Sequence, residues 1–383
     1  MEDLIYLDYN ATTPLAPEVL EAMMPYLTNW YGNASSSHLF GQRIADAVKK
    51  ARGQVADLID CDPNEIVFTS GATESINLAI KGVLQDRLDD KRHIVTVQTE
   101  HPAVLDVCRF LETRGYEVTY LPVQPDGLLE VEDFRRALRS DTALATVMLV
   151  NNETGVIQPI QKLAELAHEV GALFMTDATQ AVGKMPVSVD DLDVDLMAFS
   201  AHKFYGPKGV GGLFIRSQSS RKIWLRPIIH GGGQEHELRS GTLNVAGIVG
   251  MGKACQLSGD QMEVDALSIS KLRDTLETAL LKIDQAFING SKEHRLYNVT
   301  NITFPNLDAV MLVGLSKNIA ISNGSACTSF VLKASHVLKA MGLKDDEAFG
   351  ALRFSFGRNV HSSSVDYVIC EMREIIERKK FVK

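Results

Sequence analysis

The chain has 383 residues, enough to bury one large core or two packed ones without disulfide or metal support. Its composition, 45% hydrophobic and 23% charged, is that of a soluble globular protein, and no run approaches the roughly 20 apolar residues of a membrane span. A net charge of -9 gives no general attraction to nucleic acid, which depends on clustered Lys and Arg.

The N-terminal segment MEDLIYLDYNATTP begins acidic and lacks the basic-then-apolar order of a secretory signal, so a cytoplasmic protein is expected. EIVFTS (65–70) reads as a strand running into the helical GATESINLAIKGV, and HIVTVQTE (93–100) as one running into HPAVLDVCRFLETRG. ALATVMLV (143–150) is followed after a loop by QKLAELAHEVG. LFMTDATQ (173–180) and DLMAFSAHK (195–203) are apolar strands that end in polar residues. This repeated order predicts an α/β fold with a mainly parallel sheet covered on both faces, whose ligands bind at the strand carboxyl ends.

From about residue 255 the texture changes. DALSISKLRDTLETALLKI reads as a long amphipathic helix, NVTNITFP as a strand, AISNGSACTS as strand and loop, and SVDYVICEMREIIERKK as a terminal helix. The expected division is a large domain over 16–255 and a smaller α+β domain over 256–383 joined by 1–15.

The polar strand ends are the candidate site. SGATES (70–75) is either an ordinary βα turn capped by Thr73 or a phosphate site built from helix N-terminal amides. Asp177 is either a helix cap or a fixed anion for a bound cation. Lys203, in SAHKFYGPKG, is either a surface ammonium or a Schiff-base amine, which needs a partly desolvated site. A carbonyl cofactor with a phosphate and a ring nitrogen would use all three. HGGG (230–233) has the look of an oxyanion hole, but the chain holds no G-x-S-x-G nucleophile elbow. DLDVD (191–195) fails as a calcium loop because Leu196 and His202 occupy the required glycine and glutamate positions. No G-K-[ST] of a P-loop is present. Five cysteines, Cys61, Cys108, Cys255, Cys327 and Cys370, are scattered without a C-x-x-C pair, so neither a disulfide framework nor a metal site is expected.

YLDYNATTP, GNASSSH, FTSGATESINLAIKG, TEHPAV, VNNETGVIQPI, TDATQAVGK, SAHKFYGPKGVGG, GGGQEHELRSGTLN, SNGSACTS and LRFSFGR stand in one order along nearly the whole chain. In this the chain resembles the cysteine desulfurases of the iron-sulfur-cluster and nitrogen-fixation type, class-V aminotransferases of pyridoxal-phosphate (PLP) fold type I. The resemblance implies that Lys203 forms the Schiff base with pyridoxal 5′-phosphate and that the glycines after it let the backbone pass close to the cofactor. His101 would stack on the ring and serve in acid–base steps. Asp177 would hold the ring nitrogen protonated and Gln180 would bind the phenolic oxygen. Ala72, Thr73, Ser200 and His202 would bind the phosphate, with Thr242 reaching the phosphate of a neighbouring subunit in a homodimer.

The same resemblance implies that Asn152, Arg353 and Asn10 hold the substrate carboxylate, and that Cys327 on a flexible loop takes sulfur from L-cysteine as a persulfide, releasing L-alanine. TSFVLKASHVLKAMG, after Cys327, fits the subgroup with the longer loop. The persulfide would pass to acceptor proteins, with iron-sulfur clusters, tRNA thiolation and DNA sulfur modification as destinations. Ala34, Glu237 and Asn323 stand where the family more often has proline, glycine and serine. The alternatives are a selenocysteine lyase, an aminotransferase, which would not need Cys327, and a non-catalytic scaffold of a sulfur-transfer complex.

Overall fold

The computed structural model describes residues 4–85, 90–217, 223, 225–323 and 334–380. The chain opens with β1 (Ile5–Tyr6), α1 (Pro17–Thr28), α2 (Leu39–Ile59), β2 (Ile66–Thr69) and α3 (Ala72–Leu84). Next come β3 (His93–Val97), α4 (Pro102–Glu112), β4 (Glu117–Leu121), α5 (Val131–Ala137), β5 (Thr142–Thr146) and α6 (Ile160–Glu169). β6 (Leu173–Asp177), β7 (Leu196–Ser200), β8 (Gly211–Ile215) and α7 (Val245–Leu280) complete the larger layer. The remainder holds β9 (Phe287–Ile288), β10 (Val299–Thr303), α8 (Ala309–Leu315), β11 (Ile319–Ala320), α9 (His336–Ala340), α10 (Asp345–Phe349), β12 (Ala351–Ser355) and α11 (Ser362–Lys380).

Seven strands form one sheet in the order β2-β8-β7-β6-β5-β3-β4, parallel except for β8, which runs against both its neighbours. Alternation sorts the side chains onto two faces. Phe174, Met197 and Phe199 enter one core with α2 residues Val48, Ala51 and Val55. Met175, Leu196 and Ala198 enter another with Ile76 and Ile80 of α3 and Val104 and Val107 of α4. Both faces are therefore covered, as a parallel sheet requires.

Glycines set how closely β8 and α3 approach. A Cβ on Gly211 would lie 2.6 Å from Gly71 Cα, and one on Gly212 would lie 2.6 Å from the Phe199 ring. The close passage after Lys203 is thus one of backbone against the β2–α3 turn.

α7 ties this body to a second core. It is capped by Asn244, whose side chain accepts from Gly247 N, and its first half buries Ile248, Met251, Ala254 and Cys255 against the larger layer. Its second half places Ile269, Leu276 and Leu280 in a cluster with Leu352 and Phe354 of β12 and Val365, Val368 and Met372 of α11. The sequence anticipates only the second half, and the expected division at 255/256 falls inside this one helix. The second core carries an antiparallel sheet, β12-β10-β9, and a parallel pair, β1-β11. Among the described residues no helix is long and apolar enough to cross a membrane.

Candidate active site

The carboxyl ends of β2, β3, β5, β6 and β7 meet at one rim, where the segments that follow them line a cavity of about 510 Å³. It gathers Asn10, Ala72, Thr73, His101, Asn152, Asp177, Gln180, Ser200, His202, Lys203 and Arg353. Thr242 is exposed and outside it. Cys327 lies outside the described residues.

Lys203 sits in a short turn after β7, and its Nζ donates to the carbonyl oxygens of Asn10 at 2.7 Å and Ala11 at 2.8 Å. The amine is therefore held at the cavity wall rather than released to solvent. Thr73 does not cap α3. The N-cap is Gly71, without a side-chain hydrogen bond, so the first amides of α3 remain available to an anion. Ser200 and His202 line the same cavity, Ser200 Oγ lying 3.6 Å from where a Cβ on Gly71 would stand. Asp177 lines the cavity, and its Oδ1 accepts from Thr179 N at 2.9 Å within a turn; the helix-cap reading does not hold, since among the described residues no helix stands between β6 and β7.

Arg353 on β12, 4% exposed, donates through Nη2 to Asp8 at 2.6 Å and through Nη1 to the Asn152 carbonyl at 3.0 Å. Its Nε is buried without a hydrogen-bond partner among the described residues. Asn10 joins the two cores: it accepts from Lys203 and Gln180 through its carbonyl, and its side chain donates to Asn152 O at 3.1 Å and accepts from Asn298 at 3.1 Å.

Electrostatics sort the roles. Burial, outweighing the pull of Asp177, lowers the His101 pKa, with Lys203 adding to the fall. His101 Nδ1 accepts from Ala103 N at 3.1 Å, which leaves Nε2 as the ring donor. Burial first and then Lys203, Lys208 and Lys184 press His202 down to about 4. Burial and neighbouring carboxylates push the thiols of Cys61 and Cys108 up to about 12, and burial alone raises that of Cys255. These three are poor nucleophiles.

Two buried groups at this site escape sequence reasoning. Glu100, beside His101 in TEHPAV, is fully buried. Its Oε1 accepts from Met148 N at 2.5 Å, and burial together with Asp177 raises its pKa well above the carboxylate range. Lys184, in TDATQAVGK, is buried with its Nζ on Gln180 Oε1 at 2.6 Å. Both stand in motifs that name the site, but nothing in sequence separates a buried charged residue from an exposed one.

The model of the aminotransferase class-V family matches residues 5–368. The chain belongs to the class-V aminotransferase family. A curated cysteine desulfurase IscS of Methylobacillus flagellatus is 49% identical over 97% of this chain and 92% of its own. A mitochondrial cysteine desulfurase of Arthroderma benhamiae is 48% identical over 97% of this chain and 74% of its own. Among solved structures, a NifS-like protein superposes with a TM-score of 0.91 at 38% identity, covering 98% of this chain and 99% of its own. SspA in complex with cysteine superposes at 0.81 with 38% identity over 92% and 98% of the two chains. Within the class-V family the chain stands among the cysteine desulfurases, which depend on pyridoxal 5′-phosphate.

The cavity fits that cofactor. It offers an amine, an uncapped helix end for phosphate, the Asp177 carboxylate, and the Thr179 hydroxyl, buried without a partner among the described residues.

Proposed function

We propose that this class-V desulfurase converts L-cysteine to L-alanine with Lys203 as cofactor-binding amine and proton carrier and Cys327 as sulfur acceptor. The observation that carries the reading is the Lys203 amine at the wall of a cavity that also holds the α3 N-terminus, Asp177 and Arg353. Pyridoxal phosphate would be held by Lys203 Nζ, Asp177 at the ring nitrogen, Gln180 at the phenolic oxygen, and Ala72, Thr73, Ser200 and His202 at the phosphate. When bound, it supplies the electron sink that makes the substrate Cα–H acidic and the Cβ–S bond cleavable.

The chain's own residues do the rest. Arg353, steadied by Asp8, binds the substrate carboxylate through its free Nε with Asn152 and Asn10 beside it. Lys203 Nζ takes the Cα proton, and His101, whose depressed pKa keeps it neutral, exchanges protons through Nε2. The Cys327 thiolate attacks the substrate sulfur. The Cβ–S bond breaks with its electron pair left on Cβ, an S–S bond forms on Cys327, and alanine results as Cβ takes up a proton and Cα regains the one held by Lys203.

A homodimer completes the reading. Thr242, exposed and away from its own cavity, suits a partner's phosphate site, and the apolar side chains of Leu20, Met24, Leu27, Tyr31 and Leu39 are exposed on and between α1 and α2. We take residues 16–255 as the cofactor-binding domain and 256–383 with 1–15 as the small domain carrying Cys327, on the strength of the two apolar cores. The persulfide passes to acceptor proteins, iron-sulfur scaffolds first among them, in a reducing cytoplasm that suits the free thiols of Cys61, Cys108, Cys255 and Cys370.

The test is alanine release from L-cysteine with a thiol reductant. Lys203→Ala is expected to lose at least about 100-fold in turnover at saturating cofactor. Cys327→Ala is expected to lose turnover with cysteine, and full turnover in that variant would replace this reading with a lyase that frees sulfur or selenium directly.

A further inference from the structure

Lys184 is 6% exposed, and the charges that act on it, Lys203 and Arg353, share its sign. Burial, with those two cations, holds it well below the usual lysine range. Burying an amine among cations is costly, and among the described residues the compensation is one short hydrogen bond, Nζ to Gln180 Oε1 at 2.6 Å. Gln180, 3% exposed, places its other end against Asn10 O, with Nε2 donating at 2.9 Å.

A side-chain amide has two nearly isosteric ends, one that only accepts and one that only donates. The Asn10 carbonyl accepts only, so it takes the NH₂ end, and Lys184 donates to the oxygen. Turning the amide over would set its oxygen against the Asn10 carbonyl and lose both contacts at once.

We propose that Lys184 is a positioning residue that locks the Gln180 amide so that its second N–H, rather than its oxygen, is presented to the phenolic oxygen of bound pyridoxal phosphate. This rests on the reading above that Gln180 meets that oxygen. A donor there stabilises the ionised phenolic oxygen, whereas an amide oxygen turned toward it would repel the charge. The other ionisable groups around the cavity are Lys203, His101, His202, Asp177 and Arg353.

Lys184→Met removes the donor and keeps most of the volume. In the holoenzyme, the midpoint of the pH-dependent change in the cofactor's visible absorbance is expected to rise by about one unit, the worth of one hydrogen bond. Gln180→Ala should move it similarly, and Lys184→Met should add nothing further in that background. The dissociation constant for pyridoxal phosphate should rise about tenfold, while that for its 3-deoxy analogue, which lacks the phenolic oxygen, should stay within about twofold. An unmoved midpoint in Lys184→Met, an additive shift in the double variant, or equal weakening of both analogues overturns the proposal, the last being what a general folding defect produces. A wild-type protein that shows no lysine-bound visible band with pyridoxal phosphate overturns instead the reading on which the proposal rests.

Discussion

Three lysines converge on His202. Burial is the larger cause of its fall to about 4, and Lys203, Lys208 and Lys184 add repulsion. In the unfolded chain the same ring titrates near its ordinary value of 6.5. Above that value it is neutral in both states and costs nothing. As pH falls from 6.5 toward 4 the unfolded chain takes up a proton that the folded chain refuses, so stability declines across that window and this group's contribution then levels off. The apoprotein should therefore show falling urea midpoints over that range, and His202→Gln, which keeps a hydrogen-bonding group toward Thr12, should flatten the slope. A slope identical in wild type and variant would move the cause to another group. Phosphate bound at the α3 N-terminus, an anion beside the ring, should flatten it as well.

The turn Glu235–Glu237 carries three consecutive residues at positive φ, 48°, 57° and 66°. It persists because the buried Glu235 carboxylate clamps it to α2 and β2, accepting from Arg52 at 2.6 Å and from Phe68 N at 2.8 Å. Glu237 stands where the resemblance leads one to expect glycine, and its φ of 66° is a conformation that glycine adopts freely. Releasing about 1–2 kcal/mol of left-handed strain against about 0.5–1 of glycine entropy, Glu237→Gly should stabilise the fold by about 0.5–1 kcal/mol. A thermal melt checks this, and an unchanged or lowered Tm would mean that the Glu237 side chain offsets its own strain. Elements of this kind mark the boundary of what the sequence makes legible. β2, β3, β5, β6 and β7 are readable because continuous apolar runs ending in polar residues have few other meanings. β8 is not, since GGLFI carries no signal of direction and its glycines answer to Gly71 and Phe199, neighbours only in space. The first half of α7 is equally hidden: VAGIVGMG has poor intrinsic helix propensity, and packing against α2 overrides it. Of the site, Lys203, His101, Asp177 and Arg353 follow from motif order, whereas the burial of Lys184 and Glu100 belongs to tertiary placement alone.

At the scale of the molecule, the two cores meet at a charged joint. Arg358, just beyond β12, donates through Nε to Asp265 of α7 at 2.7 Å, and its guanidinium lies 4.3 Å from the centre of the Tyr205 ring. The Arg358 amide also donates to the Tyr205 hydroxyl at 2.9 Å. Tyr205 follows Lys203 by two residues, so this joint connects the small core to the turn that carries Lys203. Burial raises the Asp265 pKa despite the opposing pull of Arg358, so the pair does not recover the full cost of its desolvation. Removing one partner leaves the other charge buried and should cost about 3 kcal/mol, whereas removing both should cost far less. Asp265→Ala and Arg358→Met, singly and together, measured by urea unfolding, separate these cases. Single losses that exceed the double loss would show a pair retained for joining the cores rather than for stability. If so, both single variants should also lower kcat/KM for L-cysteine, because Tyr205 would no longer be held and the Lys203 turn would shift with it. Strictly additive losses with unaltered kinetics would show instead that the joint is ordinary surface and that α7 alone holds the two cores in register.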